Sequence, residues 1–312
     1  MAGLGLLLVG HGTVEDLDDL APFVTNIRRG RPPPPELVDE LRHRYEAIGG
    51  SPLNAISTEL AKNLEARLGV PTRMSMRLWK PYPREVLDEL AKAGATHVAV
   101  VPLAQHSAPI YGAAVAKAQQ EREAAGAAAI SLACAPNWGQ TPALLDAYAR
   151  SIEAALAKIP EASRAKTTLV LSAHSLPQAI IDAGDPYESE FRKSAEAIAA
   201  RVADAPKHLV AFQSQGMSNG PDGKPMTWLG PTLEATLDLV KERGDTHVIL
   251  APVGFLADHV EILYDLDIEA QGWAAARGLT AVRAPSLNAG AGLVEAIAAV
   301  ARPLLERAGG ER

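Results

Sequence analysis

Four histidines stand just past apolar, β-branched runs of strand length. LGLLLVGHGT carries His11, HVAVVPLAQH ends at His106, TLVLSAHSLP carries His174, and HVILAPVGFLADH ends at His259. An imidazole with an ordinary pKa near ~6.5 trades a proton or ligates a metal at neutral pH. Beyond His259, the segment DHVEILYDLDIEA places Glu261, Asp265 and Glu269 at i, i+4 and i+8. On a helix these carboxylates form a ridge whose like charges repel, a cost that a cation or basic partners would offset. Hard oxygen donors in a row suit a path for a divalent metal or for protons; a solvated acidic face is the plainer reading of the same spacing. His174 and Glu261 facing each other across a cleft would suit proton abstraction, metal delivery or both. His11 lies between Gly10 and Gly12, which permit a tight turn and close approach of a ligand, so it is a further candidate metal ligand.

The other candidates are less pointed. Arg28 and Arg29, in the run Arg28-Arg29-Gly30-Arg31, offer guanidinium forks that grip carboxylates, or else a solvated charge run. Trp228, after a Gly- and Asn-rich loop, could cover a flat apolar ligand or simply pack. His106 reads as a loop histidine satisfied within the fold. His97 and His247 open their strands, at the far end from the other histidines, and read as structural. His259 reads first as a packed side chain, with orientation of its neighbours as the alternative. No GxSxG elbow, P-loop, or GxGxxG after the first strand occurs, so acyl-transfer and nucleotide-binding readings lack support.

Strand-like and helix-like runs alternate along the chain, the pattern of parallel sheets covered by helices. The strand–histidine units recur about half a chain apart, and Thr-His-Val opens a strand at both 96–98 and 246–248. The expected fold is therefore α/β: two similar Rossmann-like lobes, residues 1–158 and 159–312, each a parallel sheet flanked by helices, with a cleft between them. The C-terminal helix has the option of packing across onto the first lobe. Ligands of open α/β sheets bind outside the carboxyl ends of the strands, where the four histidines fall. The acidic helix is expected to run from 258 to 271.

The 312 residues carry a net charge of −7 and 47% hydrophobic side chains, with no basic tail, which argues for a sizeable core and against nucleic-acid binding. A lone cysteine, Cys134, rules out an intrachain disulfide and a cysteine-ligated cluster and fits a reducing cytosol. No apolar run approaches the ~20 residues needed to span a bilayer. The apolar start lacks a basic n-region, so no signal peptide is expected.

With these residues in view, the chain resembles the ferrochelatases along its whole length. The resemblance is carried by LLLVGHGT, IRRGRPPPPELVDELRHRYEAIGGSPL, LSAHSLP with GDPY at 184–187, FQSQG, TWLGP and APVGFLADHVEILYDLDIEA. It implies two Rossmann-like lobes and insertion of Fe2+ into a porphyrin, with loss of two pyrrole protons, in haem biosynthesis. Residue by residue, it makes His174 the active-site histidine and Glu261 its partner across the porphyrin. Asp265 and Glu269 become outer acidic residues on a metal or proton path. Arg28 and Arg29 fall near the propionates, and Arg44 and Ser51 beside the cleft. It implies Fe2+ as substrate and no permanent cofactor; the lack of the C-terminal cysteines that hold an iron–sulfur cluster in some relatives argues against a cluster, and the acidic balance and absence of an apolar lip point to a monomer in the cytosol. The polar 27–53 segment is similar to that of bacterial enzymes using coproporphyrin III, with protoporphyrin IX as the alternative. One departure stands out: LLVGHG resembles the opening of sirohydrochlorin cobalt and nickel chelatases, where the histidine ligates metal. A chelatase of that type, or a non-catalytic tetrapyrrole or metal carrier, are the competing readings.

Overall fold

The computed structural model describes residues 3–216 and 225–310. The chain forms two compact units, one of residues 1–144 and 288–312, the other of residues 145–287. Each contains a four-stranded, wholly parallel sheet. In the first unit β1 (Leu4–Gly10), β2 (Thr72–Met76), β3 (His97–Pro102) and β4 (Ser131–Cys134) lie in the order β2-β1-β3-β4. In the second, β5 (Thr167–His174), β6 (Lys207–Gln213), β7 (His247–Ala251) and β8 (Thr280–Arg283) lie in the order β6-β5-β7-β8. The repeat legible in the sequence is thus a repeated topology, each sheet reversing its strand order beside its first strand.

The central strands are apolar on both faces because helices cover both. All seven residues of β1 are buried, as are the first seven of β5, and His174 is the residue at which β5 emerges. In the first unit Leu7, Val9, Val98 and Val100 pack with Val86, Leu87, Leu90 and Val115. In the second Val170, Val248 and Leu250 pack with Leu233, Leu237, Ile262 and Leu266. Each such side chain contributes about 1.5–3 kcal/mol on burial, which anchors the strand ends that carry the polar residues.

Equivalent details recur in both units at the amino ends of the strands. Thr96 Oγ1 lies 2.9 Å from His97 Nδ1, and Thr246 Oγ1 lies 2.9 Å from His247 Nδ1. The backbone N–H groups of Thr96 and His97 both donate to Gly3 O, and those of Thr246 and His247 both donate to Lys166 O. His97 and His247 are structural, as expected.

The expected division at 158 is corrected to 144. The helix Pro142–Leu156 belongs almost entirely to the second unit, where Tyr148 Oη donates to Phe255 O (2.7 Å) and Ser151 Oγ to Pro285 O (2.5 Å). The final helix, Ala291–Gly310, returns to the first unit and packs on β1, β3, β4 and the helix Leu53–Leu68. Arg67 holds Glu295 there through two hydrogen bonds of 2.6 and 3.0 Å.

A candidate active site at the end of the second sheet

The strand-order reversal beside β5 creates a crevice at the carboxyl ends of β5 and β7, the place where such sheets hold ligands. His174 ends β5, and Glu261 follows β7 in the four-residue helix Val260–Leu263. His174 Nδ1 is 3.0 Å from Glu261 Oε2, both side chains about one third exposed (35% and 36%). This corrects the expectation that Glu261 faces His174 from across a cleft or across a bound porphyrin: the two form one hydrogen-bonded pair within one unit. They meet because adjacent parallel strands deliver both residues to the same sheet edge.

Three of the sequence motifs, SAHS, GDPY and FQSQG, help to build this pair. In Ser172-Ala173-His174-Ser175, the Ser172 hydroxyl donates to Gln213 Oε1 (2.8 Å) and Ser175 to Leu229 O (2.9 Å). GDPY fixes the histidine from behind: Asp185 accepts from Tyr187 N–H, and Tyr187 Oη donates to His174 O (2.9 Å each). In FQSQG, Gln213 Nε2 donates to Glu261 O (2.8 Å), so one amide side chain joins β5 to the glutamate's own backbone. Ser214, held at φ 57°, donates its hydroxyl to Asp265 Oδ2. A non-glycine residue in that left-handed region costs about 1 kcal/mol or more and persists where the surroundings enforce it. Gln213 and Ser214 were missed as candidates; their motif was visible, but nothing in it specified a partner. Gly254 donates its N–H to Ser172 O, and a Cβ there would stand 2.4 Å from Ala173 Cβ. Only glycine lets the loop after β7 approach β5 this closely.

His259 caps the helix Val260–Leu263, its Nδ1 accepting from Glu261 N–H (3.2 Å), which is the orienting role weighed for it. The two imidazoles therefore have opposite tautomers. A carboxylate only accepts, so His174 carries a proton on Nδ1 and leaves its lone pair on Nε2; His259 accepts at Nδ1 and carries its proton on Nε2. Electrostatics follows. Burial opposes charge on His174, but the charge and hydrogen bond of Glu261, with the charge of Asp265, outweigh it and raise the pKa. On His259 burial prevails and, with the charge of His174, lowers the pKa although Glu261 and Asp258 oppose it.

The acidic helix expected over 258–271 is corrected as well. The chain forms the helix Val260–Leu263, a π-turn over Asp265–Glu269, and the helix Ala270–Ala276. Ile268 and Glu269 N–H both reach Tyr264 O, at 3.1 and 3.0 Å. Four residues overshoot an α-turn of 3.6, so an i, i+4 row drifts around a straight helix; the wider π-turn offsets that drift. Asp265 is buried (4% exposed) against Ser214, while Glu269 is half-buried. π-turns of this kind recur at functional sites.

Trp228 lies in the strip beside His174. Pro177 and Trp228 form an antiparallel bridge, Leu229 N–H donates to Leu176 O, and the indole covers Gly216, whose Cβ would stand 2.7 Å from it. Residues 217–224, most of the Gly- and Asn-rich loop, lie outside the described residues.

The remaining candidates lie in the first unit. His11 follows β1 and is exposed, its Nδ1 3.2 Å from Tyr111 Oη, while the Arg77 guanidinium lies 5.4 Å from the Tyr111 ring centre. Gly12, at φ +119° and closely opposed to Trp79, makes the turn. Arg28 caps the helix Leu20–Ile27 and Arg29 follows at φ 56°. Arg44 pairs with Glu40 at 2.8 Å, and its neighbour Tyr45 joins its hydroxyl to Thr13 at 2.9 Å. Ser51 Oγ accepts from Leu53 N–H (3.4 Å). His106 is buried, and burial holds its pKa down to about 4.

Comparison with known proteins converges on one family. The sequence profile described as ferrochelatase matches residues 3–304. A ferrochelatase of Acidobacterium capsulatum is 34% identical over 97% of this chain and 94% of its own length. A coproporphyrin III ferrochelatase of Geobacillus kaustophilus is 37% identical over 85% of this chain and 84% of its own. Among solved structures, SirB from Bacillus subtilis with Fe3+ superposes with a TM-score of 0.59 at 13% identity, covering 99% of this chain and 98% of that one, a likeness of fold.

Proposed function

The chain belongs to the ferrochelatase family, lyases that insert Fe2+ into a porphyrin in haem biosynthesis, and we propose that in this member the His174–Glu261 pair receives the pyrrole protons. The observation that carries the reading is the 3.0 Å hydrogen bond between His174 Nδ1 and Glu261 Oε2 at the sheet's switch point. A free-base porphyrin holds two N–H protons, and both leave as Fe2+ takes the four nitrogens. His174 Nε2, bearing the lone pair, accepts a pyrrole proton. Glu261 stabilises the imidazolium through Nδ1–H and is placed to draw off that proton, with Asp265 and Glu269 next along the chain. His174 and Glu261 are also candidate ligands for the incoming Fe2+, which is substrate; no resident cofactor enters the scheme.

Coproporphyrin III is the porphyrin this reading favours. Its support is the polar 27–53 segment and relatives bearing that substrate in their names, in Geobacillus kaustophilus among others. Arg28 and Arg29 would grip propionates, with Arg44 and Ser51 beside them, and Trp228 would cover the ring. His11 is a further ligand for the metal. No helix among the described residues is long and apolar enough to cross a membrane; from the net charge of −7 and the polar 27–53 segment we read the enzyme as a monomer of the cytoplasm.

Anaerobic mixing with Fe2+ and coproporphyrin III, protoporphyrin IX or sirohydrochlorin in parallel, followed by loss of free-ligand fluorescence, tests the substrate. Fastest loss with coproporphyrin III is expected. Preferential metallation of sirohydrochlorin would overturn the assignment in favour of a His11-centred chelatase. His174→Ala should abolish insertion while coproporphyrin binding persists; unchanged turnover would dispose of the proton-acceptor role.

A further inference from the structure

We infer that Arg283 is the positioning residue that holds the Glu261 segment in its reactive shape. Arg283 ends β8, where its backbone is fixed by pairing with Leu250 of β7 and by the Ala284 N–H bond to Leu250 O. Its guanidinium reaches back to the acidic segment twice. Nη1 donates to Asp258 Oδ1 (3.1 Å) and Nε to Asp267 Oδ1 (2.6 Å). Ser286, just after β8, donates to the same Asp258 oxygen at 2.7 Å. Arg283 and Asp258 are each only 17% exposed, and Asp267 is 36% exposed, so these are partly desolvated, charge-assisted hydrogen bonds.

The two aspartates bracket the chemistry. Asp258 precedes His259 and Glu261; Asp267 sits inside the π-turn, just past Asp265. Between them the chain forms one helical turn of four residues and a π-turn, structures too short to hold themselves in water. The stretch also carries five carboxylates within twelve residues, Asp258, Glu261, Asp265, Asp267 and Glu269, whose mutual repulsion would spread it. A planar guanidinium with several donors can join two carboxylates at once, which a lysine ammonium does less well. Arg283 thereby fixes both ends of the span from a sheet strand and sets where Glu261 meets His174, without touching either. It acts on the reacting pair and not on the porphyrin.

The inference rests on the His174–Glu261 reading, so His174→Ala is measured alongside. Arg283→Gln, Arg283→Lys, Asp267→Asn and the Arg283→Gln/Asp267→Asn double variant are compared for kcat with Fe2+ and coproporphyrin III, for coproporphyrin affinity without iron, and for thermal unfolding. A misplacement on the order of 1 Å costs roughly 10²-fold. Arg283→Gln should therefore lose roughly 10- to 100-fold in kcat while porphyrin affinity stays within about twofold. Arg283→Lys should recover part of the loss, Asp267→Asn should lose less, and the double variant should be no worse than Arg283→Gln alone. A folded Arg283→Gln enzyme with wild-type kcat overturns the inference. So does a loss of kcat that only tracks the unfolded fraction, or losses that simply multiply in the double variant. An active His174→Ala enzyme would instead sink the underlying reading, whatever Arg283 does.

Discussion

Gly254→Ala is the sharpest test of how the two strands meet. The glycine's φ is not in the left-handed region, so an alanine backbone is not itself strained there; the obstacle is space. A Cβ would lie 2.4 Å from Ala173 Cβ, 2.6 Å from Ala173 Cα and 3.1 Å from Ser172 O. Carbon atoms settle at about 3.5–4.0 Å, so the loop after β7 must retreat from β5 by about 1 Å. None of the obstructing atoms belongs to a side chain that can swing aside. The same retreat stretches the Gly254 N–H bond to Ser172 O, now 2.9 Å, and carries the Glu261 segment away from the residue next to Ala173. A His174–Glu261 separation of 3.0 Å would then approach 4 Å, beyond hydrogen-bond range. Overpacking of this kind costs about 1–3 kcal/mol, or roughly 2–12 °C of Tm for a domain of this size. The displaced pair costs roughly 10²-fold in insertion rate. The assay is anaerobic loss of coproporphyrin III fluorescence with Fe2+, alongside thermal unfolding by circular dichroism. Gly254→Ala/Ala173→Gly should recover only part of the rate, because the clash with the backbone of residue 173 remains. A Gly254→Ala enzyme with wild-type rate and wild-type Tm would show that the strand ends are not held together as described.

Two further predictions concern pH. His174 must be neutral to accept a proton and its pKa is raised, so insertion should climb with pH through a midpoint above 6.5. Glu261→Gln removes the larger of the two influences that raise it and leaves burial opposed only by the charge of Asp265, so the imidazole titration, read by NMR in that variant, should move to lower pH; an unmoved or more alkaline titration contradicts the electrostatic account. His106 works in the opposite sense. Its folded pKa of about 4 lies below the ordinary 6.5, so its contribution to stability is present above 6.5 and is lost as pH falls through 4. The full loss is ~3 kcal/mol by linkage, and His106→Gln should flatten the acid limb of a stability–pH curve by about one proton, whereas an unchanged limb would show that His106 does not drive it.

The parts of the fold that were legible are those written in hydrophobic periodicity. Eight runs alternating with helices, and the Thr-His-Val pair at matching strand starts, were enough to expect two like sheets with histidines at their carboxyl ends. Periodicity could not say which sheet a helix covers. The helix Pro142–Leu156 falls before the expected division at 158, yet it packs within the second unit, and the final helix returns to the first. It also could not report the π-turn, since every spacing argument assumed 3.6 residues per turn. The His174–Glu261 pairing was read as a confrontation across a gap because sequence distance says nothing about register. Adjacent strands of one sheet bring them together. Gln213, Ser214 and Arg283 escaped notice for another reason: an amide, a hydroxyl and a guanidinium acquire a purpose only when their partners are known.

The two units also show how one topology acquires unequal chemistry. Each places a histidine at the end of its first strand and another in the loop after its third. In the first unit the loop histidine, His106, is buried and held neutral, and His11 sits beside the Tyr111 hydroxyl. In the second, the loop histidine gives up its Nδ1 lone pair to the backbone of Glu261, and that glutamate reaches the strand-end histidine. One carboxylate at that position raises the proton affinity of the His174 ring. The π-turn and Arg283 then keep four further carboxylates close behind it without letting their repulsion disperse them. The topology repeats, and in the second unit the acidic segment after β7 supplies the charge that raises the pKa of His174, which is what the proposed acceptance of pyrrole protons requires.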